Sequence, residues 1–350
     1  MSPGTARADD VRILLLADTH LGFDSPLHPR VTRRRRGPDF FANFERALRP
    51  AMRGEVDLVV HGGDLFFRSK VPPALVDQAL TPLANVAQSG VPVFLVPGNH
   101  ERSRIPLHLA TAMPNLHIFH RPGTIVLDLA GARISVSGFP FVRRIGASFA
   151  QLLRECDYSA VDAEFRLLCL HQSVEGAKVG LHDYTFRKGP EVIAGQAIPG
   201  TFDAVLAGHI HRNQLLTHDL TGRQLPAPVI YPGAIERTSF AEREETKHYA
   251  RVYLTGSNDR TGAKLKVTFV PLPTRPMINL TVDGSGLDAV GLMDRMNEEL
   301  NALDPDAIVR VELDSSDTPE SVPLLSAAKL RSLAPATMNV SLAVRARTRG

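Results

Sequence analysis

The sequence contains no tryptophan, five tyrosines and two cysteines. With so few large aromatics there is no ladder of rings to stack successive bases of a single strand. Two cysteines cannot form a disulfide framework, and Cys169 sits inside the apolar run "FRLLCLH". Cys156 and Cys169 therefore read as reduced, buried thiols of a cytoplasmic protein. No run of about 18 apolar residues occurs, so no membrane-spanning helix is expected. The opening "MSPGTARADD" lacks the apolar core and cleavage site of a signal peptide and reads as a disordered tail over residues 1–10. "RRRR" has no apolar run behind it, which argues against twin-arginine export. The net charge is only +3, so total charge by itself does not call for nucleic acid. Repeats and low-complexity tracts are also missing.

What remains is an ordinary soluble composition, 43% apolar and 22% charged, in a 350-residue chain long enough for one large and one small domain. Five short apolar runs recur, and each ends in polar residues. "RILLLADTH" leads to Asp18 and His20, and "VDLVVHGGD" to Asp64. "VPVFLVPGNHE" leads to Asn99 and His100, "FRLLCLHQ" to His171, and "FDAVLAGHIH" to His209 and His211. Continuous apolar runs of this length read as strands buried on both faces. Helix-compatible segments such as "FFANFERAL", with Phe41, Phe44 and Leu48 on one face, separate some of them. Pro50 and Pro82 are expected to interrupt these helices. In layered α/β folds, ligands bind at the C-terminal strand ends, where every polar cluster here lies. The stretches 123–139 and 250–272 alternate like hairpins, antiparallel pieces that predict a second sheet layer. After "PLPTRP" the pattern becomes strand, helix, strand, helix, strand. Boundaries are expected at 11–274 for the main domain and 275–350 for a small α+β domain.

Period-2 geometry would place Asp18 and His20 on one strand face, and His209 and His211 would converge if extended. Carboxylate, amide and imidazole donors without thiolate suit first-row divalent ions, with Mn²⁺ a good fit and Fe²⁺ or Zn²⁺ as substitutes. Seven donors exceed one four-coordinate site but suit two ions sharing a carboxylate, an arrangement that clamps a phosphoryl displacement. Each motif alone has an ordinary reading. Gly-Asp is a common turn, a lone histidine at a strand end is often a cap, and H-x-H can be an exposed strand end. The ordered set of five carries the inference.

That set, "DTH", "GGD", "GNHE", "H" and "GHIH", resembles the calcineurin-like metallophosphoesterases. "HQSVEGAKVG", "YTFRKG", "GHIHRNQ" and "YPGAIERTSFAE" are similar to segments of the SbcD-type DNA double-strand-break repair nucleases. The resemblance implies an α/β fold, a layered β-sandwich flanked by helices, with a small C-terminal α+β capping domain. It implies one metal on Asp18, His20 and His211, a second on Asn99, His171 and His209, and Asp64 bridging both. His100 would act at the scissile phosphate, and Glu101 stands where many relatives have Asp. The implied activity is Mn²⁺-dependent 3′-to-5′ exonuclease or endonuclease cleavage of DNA, beside an SMC-type ATPase, in a homodimer and near the nucleoid. No ATPase-docking segment is evident up to "AVRARTRG".

The loops after the strand ends carry a surplus of basic residues, whereas the rest of the chain is acidic on balance. Arg33, Arg34, Arg35, Arg36, Arg68, Arg102, Arg104 and Arg212 are the candidate DNA contacts, directed at the backbone and salt-sensitive. A solvated basic loop is the other reading of Arg33–Arg36. Phe66 and Phe67 are expected to pack beneath the sheet edge. A phosphodiesterase for small nucleotide esters is the alternative enzyme, and a DNA-end-binding subunit with a structural metal site is the alternative of another class.

Overall fold

The computed structural model of the chain describes residues 10–24, 34–101, 105, 113–256, 264–314 and 326–343. Residues 1–9 of the expected tail, and Arg33, Arg102 and Arg104, lie outside the described residues. The described chain falls into two compact units. The first is built from residues 10–24, Gly37–Thr238 and Glu245–Pro273. The second is built on the segment from Thr274, joined by residues 34–36 and Ser239–Glu244.

In the first unit, β1 (Asp10–Leu16), β2 (Leu58–His61), β3 (Val93–Leu95) and β4 (Leu116–Ile118) are mutually parallel. A hairpin, β5 (Gly123–Leu129) and β6 (Ala132–Gly138), precedes β7 (Phe165–His171). Four two-residue strands follow: β8 (Ser173–Val174), β9 (Lys178–Val179), β10 (Tyr184–Thr185) and β11 (Val192–Ile193). The unit is completed by β12 (Ala204–Gly208), β13 (Gln214–His218), β14 (Gln224–Tyr231), β15 (Lys247–Thr255) and β16 (Lys264–Leu272).

These strands form two six-stranded sheets, β16-β15-β1-β2-β3-β4 and β13-β14-β12-β7-β6-β5. Each has four parallel strands; the first is extended on one side by antiparallel β15 and then β16, and the second carries antiparallel β13 and β5 at opposite edges. The expected second sheet layer is present, but the two hairpins do not share it. The hairpin β5–β6 extends one sheet and β15–β16 extends the other, because β6 pairs in parallel with β7, and β15 lies antiparallel to β1. The facing sides are closed by Ile13, Leu15, Val60, Phe94, Leu167, Leu206 and Val252.

Two helices, α1 (Gly37–Met52) and α2 (Pro73–Gln88), cover the outer face of the first sheet. Phe40, Phe44 and Leu48, at i, i+4 and i+8, form the buried stripe of α1, and Phe41 is only half-buried beside it. Both helices run through their prolines, Pro50 and Pro82, so neither residue ends a helix as expected. A third helix, α3 (Ile145–Cys156), packs Ile145, Phe149 and Leu153 on the outer face of the other sheet. The result is a helix–sheet–sheet–helix sandwich with strand C-termini from both sheets at one edge. Cys156 and Cys169 are buried free thiols.

The second unit has three parallel strands, β17 (Met277–Asp283), β18 (Ile308–Asp314) and β19 (Asn339–Leu342). Helices α4 (Ala289–Asn301) and α5 (Ala327–Leu333) lie between them in sequence and bury Leu292, Met296 and Leu330 against Val309 and Val311. Asp288 and Ser326 cap the two helices by accepting from the N–H groups of Gly291 and Lys329. Arg275 donates to the carbonyls of Asp306 and Thr337 and to Asn339 Oδ1. Arg34 ion-pairs with Asp306, and its carbonyl accepts from Asn339. Among the described residues, no helix is long and apolar enough to cross a membrane.

Candidate metal centre

All seven candidate donors stand at or just beyond the C-terminal ends of strands that finish at one edge of the sandwich. Asp18 and His20 follow β1, Asp64 follows β2, Asn99 and His100 follow β3, and His209 and His211 follow β12. His171 is the last residue of β7. Strand alternation is not what makes Asp18 and His20 converge. β1 stops at Leu16, and Asp18, His20, Asp64 and His209 all have positive φ, between 45° and 87°. For residues other than glycine this backbone is costly, and it accumulates at functional sites held by a rigid surround.

That surround is visible in the hydrogen bonds. The N–H groups of Asp18, His20 and Leu21 donate to the carbonyls of Gly63, Asp64 and Leu65, zipping the β1 loop to the β2 loop. Thr19 Oγ1 donates to Leu65 O at 3.1 Å and meets His61 Nε2 at 3.0 Å. Gly63 N donates to His61 Nδ1, so His61 Nε2 carries the proton that Thr19 accepts. Burial, followed by the charge of His171, lowers His61 to about 3, consistent with that neutral ring. Gly98 must be glycine, since a Cβ there would run into the Asp64 carboxylate and backbone nitrogen.

Glu101, which stands where many relatives have Asp, is buried and accepts from Gly98 N at 2.6 Å, Asp64 N at 3.0 Å and Phe66 N at 2.8 Å. Its longer arm reaches the β2 loop and fixes the backbone that presents Asp64. Burial and then the charge of Asp64 raise its carboxyl to about 8. His100 is oriented by another group: its Nδ1 donates to the Phe67 carbonyl at 2.5 Å. The opposite nitrogen, Nε2, lies 3.8 Å from Asp64 Oδ2, on a side chain 32% exposed.

The donor atoms gather in two connected groups. Asp18, His20 and His211 form one, with His20 Nε2 2.9 Å from His211 Nε2 and His211 Nε2 3.9 Å from Asp18 Oδ1. In the other, Asn99 Oδ1 lies 3.1 Å from His171 Nε2 and 3.0 Å from His209 Nδ1. Asp64 joins them: its Oδ2 is 3.3 Å from His171 Nε2, and its carboxylate also clusters with His20. His209 and His211 therefore serve opposite groups.

The electrostatics describe acceptors crowded together. Burial pushes Asp18 up and drives His20 well below its ordinary value. Burial and the charge of His171 lower His209 to about 3. Burial also opposes charge on Asp64 and His171, but their mutual attraction prevails and moves Asp64 down and His171 up to about 9. Among the described residues, neither Asp18 nor Asp64 has a lysine or arginine partner. His20 Nδ1 is buried with no hydrogen-bond partner. Inward-facing lone pairs on nitrogen and oxygen, gathered with no lysine or arginine on the two carboxylates, fit hard-to-borderline divalent cations.

The basic candidates separate. Arg212 ion-pairs with Asp183, and Arg34 with Asp306 in the second unit. Arg36 is buried. Arg35 and Arg36 also belong to the second unit. Arg68 is exposed and lies over the Phe67 ring. Phe66 is core, as expected, but Phe67 is half-buried beside His20 and His100. No sequence signal marks the Phe67 carbonyl or buried Lys247, which donates to His211 O. Nor did it mark Phe141, which lies against His171 and His209.

The chain is 27% identical over 315 residues to the DNA double-strand break repair protein Mre11 of Methanosarcina mazei, covering 87% of this chain and 45% of that protein. It is 30% identical over 312 residues to the Mre11 of Haloferax volcanii, covering 86% of this chain and 61% of the relative. The chain thus spans about half the length of such relatives. Among solved structures, a dimetal phosphatase from Danio rerio matches 75% of this chain and 99% of its own, with 14% identity and a TM-score of 0.42. A family model described as calcineurin-like phosphoesterase matches residues 11–213, a span containing all seven donors and His100. The chain belongs to the calcineurin-like phosphoesterase family.

Proposed function

We propose that the chain is a two-metal DNA nuclease that hydrolyses phosphodiester bonds in double-strand-break repair. The supporting observation is the pair of donor groups joined by one shared carboxylate, Asp64, with His100 Nε2 beside it. Asp18, His20 and His211 would hold one ion, and Asn99, His171 and His209 the other. The similarity to the Mre11 repair proteins supports DNA as the substrate, and the donor chemistry favours Mn²⁺, with Fe²⁺ or Zn²⁺ as substitutes. Cleavage as a 3′-to-5′ exonuclease or as an endonuclease, an SMC-type ATPase partner, a homodimer and a cytoplasmic, nucleoid-associated location complete the reading. The second unit is the proposed capping domain, beginning near Arg275.

When bound, two divalent ions supply positive charge for the phosphoryl oxygens and make water acidic enough to serve as nucleophile. The chain's own residues set the geometry. Asp64 is fixed by Glu101 through its own N–H, and its Oδ1 accepts from His100 N at 2.9 Å. Asp18 accepts from His209 N at 3.0 Å, which holds one sheet's loop to the other's. His100 donates from Nδ1 to Phe67 O, so its Nε2 faces outward. In the imidazolium form, that Nε2–H donates to the leaving oxygen.

The test is cleavage of end-labelled linear DNA with Mn²⁺ by the wild type and by His100→Ala. The expected result is degradation by the wild type alone, abolished by EDTA, with product lengths giving the polarity. Intact DNA alongside hydrolysis of a small diester would replace this reading with that of a small-substrate phosphodiesterase.

A further inference from the structure

Beside Asn99 and His209 the first unit opens into a cleft of ≈740 Å³, lined also by Pro140, Phe141, Arg143 and Glu191. That is the size range of small-molecule subsites. The Phe141 ring is half-buried, 5.6 Å from the His209 ring and 6.1 Å from that of His171. Three bonds hold its segment in place. Phe141 N donates to Pro97 O at 2.8 Å, Gln172 Nε2 to Val142 O at 3.1 Å, and Arg144 N to Glu191 Oε2 at 2.8 Å. The cleft therefore has a stiff aromatic wall adjoining one of the two donor groups.

Its charge is equally specific. Arg143 is exposed and, among the described residues, has neither a hydrogen-bond nor an ion-pair partner. Arg212 and Arg34 are both neutralised by aspartates. A flat π surface and one uncommitted guanidinium, side by side at the reacting groups, match a planar base joined to an anionic phosphate. Base–aromatic stacking is tolerant of sequence, as a nuclease without base readout requires.

We infer that this cleft is a nucleotide subsite: the base of a nucleotide flanking the scissile phosphate stacks on Phe141, and Arg143 takes the adjoining phosphate. The inference rests on the nuclease reading and names how that site holds its substrate.

The experiment uses the full chain with Mn²⁺. It compares kcat/KM on oligonucleotides that are natural or abasic at each nucleotide flanking the cut, with methyl p-nitrophenyl phosphate as the small diester. For the wild type, removing the base on one side of the cut costs roughly tenfold. In Phe141→Ala, and in Phe141→Leu, which keeps the apolar packing without the π face, the natural-to-abasic ratio falls to about one. Phe141→Trp restores it. Arg143→Ala raises KM for DNA and reduces the salt dependence of binding by about one counterion. An unchanged base ratio in both Phe141→Ala and Phe141→Leu, or an unchanged salt slope in Arg143→Ala, overturns the subsite. A wild type that cuts DNA with a base ratio of one refutes the subsite alone. A wild type that hydrolyses only the small diester removes the nuclease reading and the subsite with it.

Discussion

Glu101 offers the sharpest test of how the loops are held. Its two oxygens accept three N–H groups, Gly98 and Asp64 on Oε2 and Phe66 on Oε1, at a buried point where the β2 and β3 loops meet. Glu101→Ala strands all three donors. A buried, unsatisfied donor costs about 1–3 kcal/mol, and the three share one anchor, so the losses do not simply add. The expected total is about 3–5 kcal/mol, or on the order of 10 °C in Tm for a domain of this size. Glu101→Gln is milder. Its single oxygen can stay with Gly98 and Asp64, leaving only Phe66 N facing an amide NH₂, a loss of about 1–2 kcal/mol. Glu101→Asp is one methylene short and cannot span both loops. The assay is urea unfolding of the four proteins in EDTA, which keeps metal binding from contributing to stability. The reasoning fails if Glu101→Ala unfolds within 1 kcal/mol of the wild type, or if glutamine costs as much as alanine.

Gly98→Ala should abolish high-affinity Mn²⁺ binding in calorimetry, because the new Cβ occupies the space of the Asp64 carboxylate and backbone nitrogen. Saturating Mn²⁺ should stabilise the wild type by about 2.7 kcal/mol at a hundredfold excess over Kd. Asp64→Asn, which removes the charge shared by both donor groups, should lose most of that gain in the same thermal melts. His61 is held near 3, below its unfolded value, so the unfolded state binds more protons between about pH 6.5 and 3. Its contribution is therefore full above that window and is lost as pH falls through it. His61→Asn should flatten the stability-versus-pH curve, and a parallel curve in EDTA would count against the buried neutral ring.

Much of the site was legible because its donors follow apolar runs, and parallel strands buried on both faces write themselves into sequence as such runs. Asp18, Asp64, Asn99, His171, His209 and His211 could each be placed at a strand end by that signal. The reason Asp18 and His20 converge could not be read. Left-handed backbone outside glycine is imposed by the neighbouring loop through the bonds to Gly63 and Asp64, not by local propensity. Sheet membership failed for a related reason. The hairpin β15–β16 reads as antiparallel on its own, but its pairing with β1 spans most of the chain. Nothing in the sequence placed the Glu101 carboxylate, because only the folded approach of the β2 loop determines which N–H groups it meets. Arg212 looked free until Asp183 arrived beside it, while Arg143 drew no attention because a single arginine in a loop carries no pattern.

The donors come from two different sheets. Asp18, Asp64 and Asn99 stand at the ends of strands in one sheet, and His171, His209 and His211 at the ends of strands in the other. The centre is therefore a seam, and neither half of the sandwich carries a complete set. His20 and His211, 191 positions apart, meet only after both sheets are built and docked. Closing so long a loop comes late, since its entropy is spent before the contact returns anything. On the two-metal reading, metal capture is expected to latch the finished sandwich, slowing opening of the seam and leaving the rate at which it first forms unchanged.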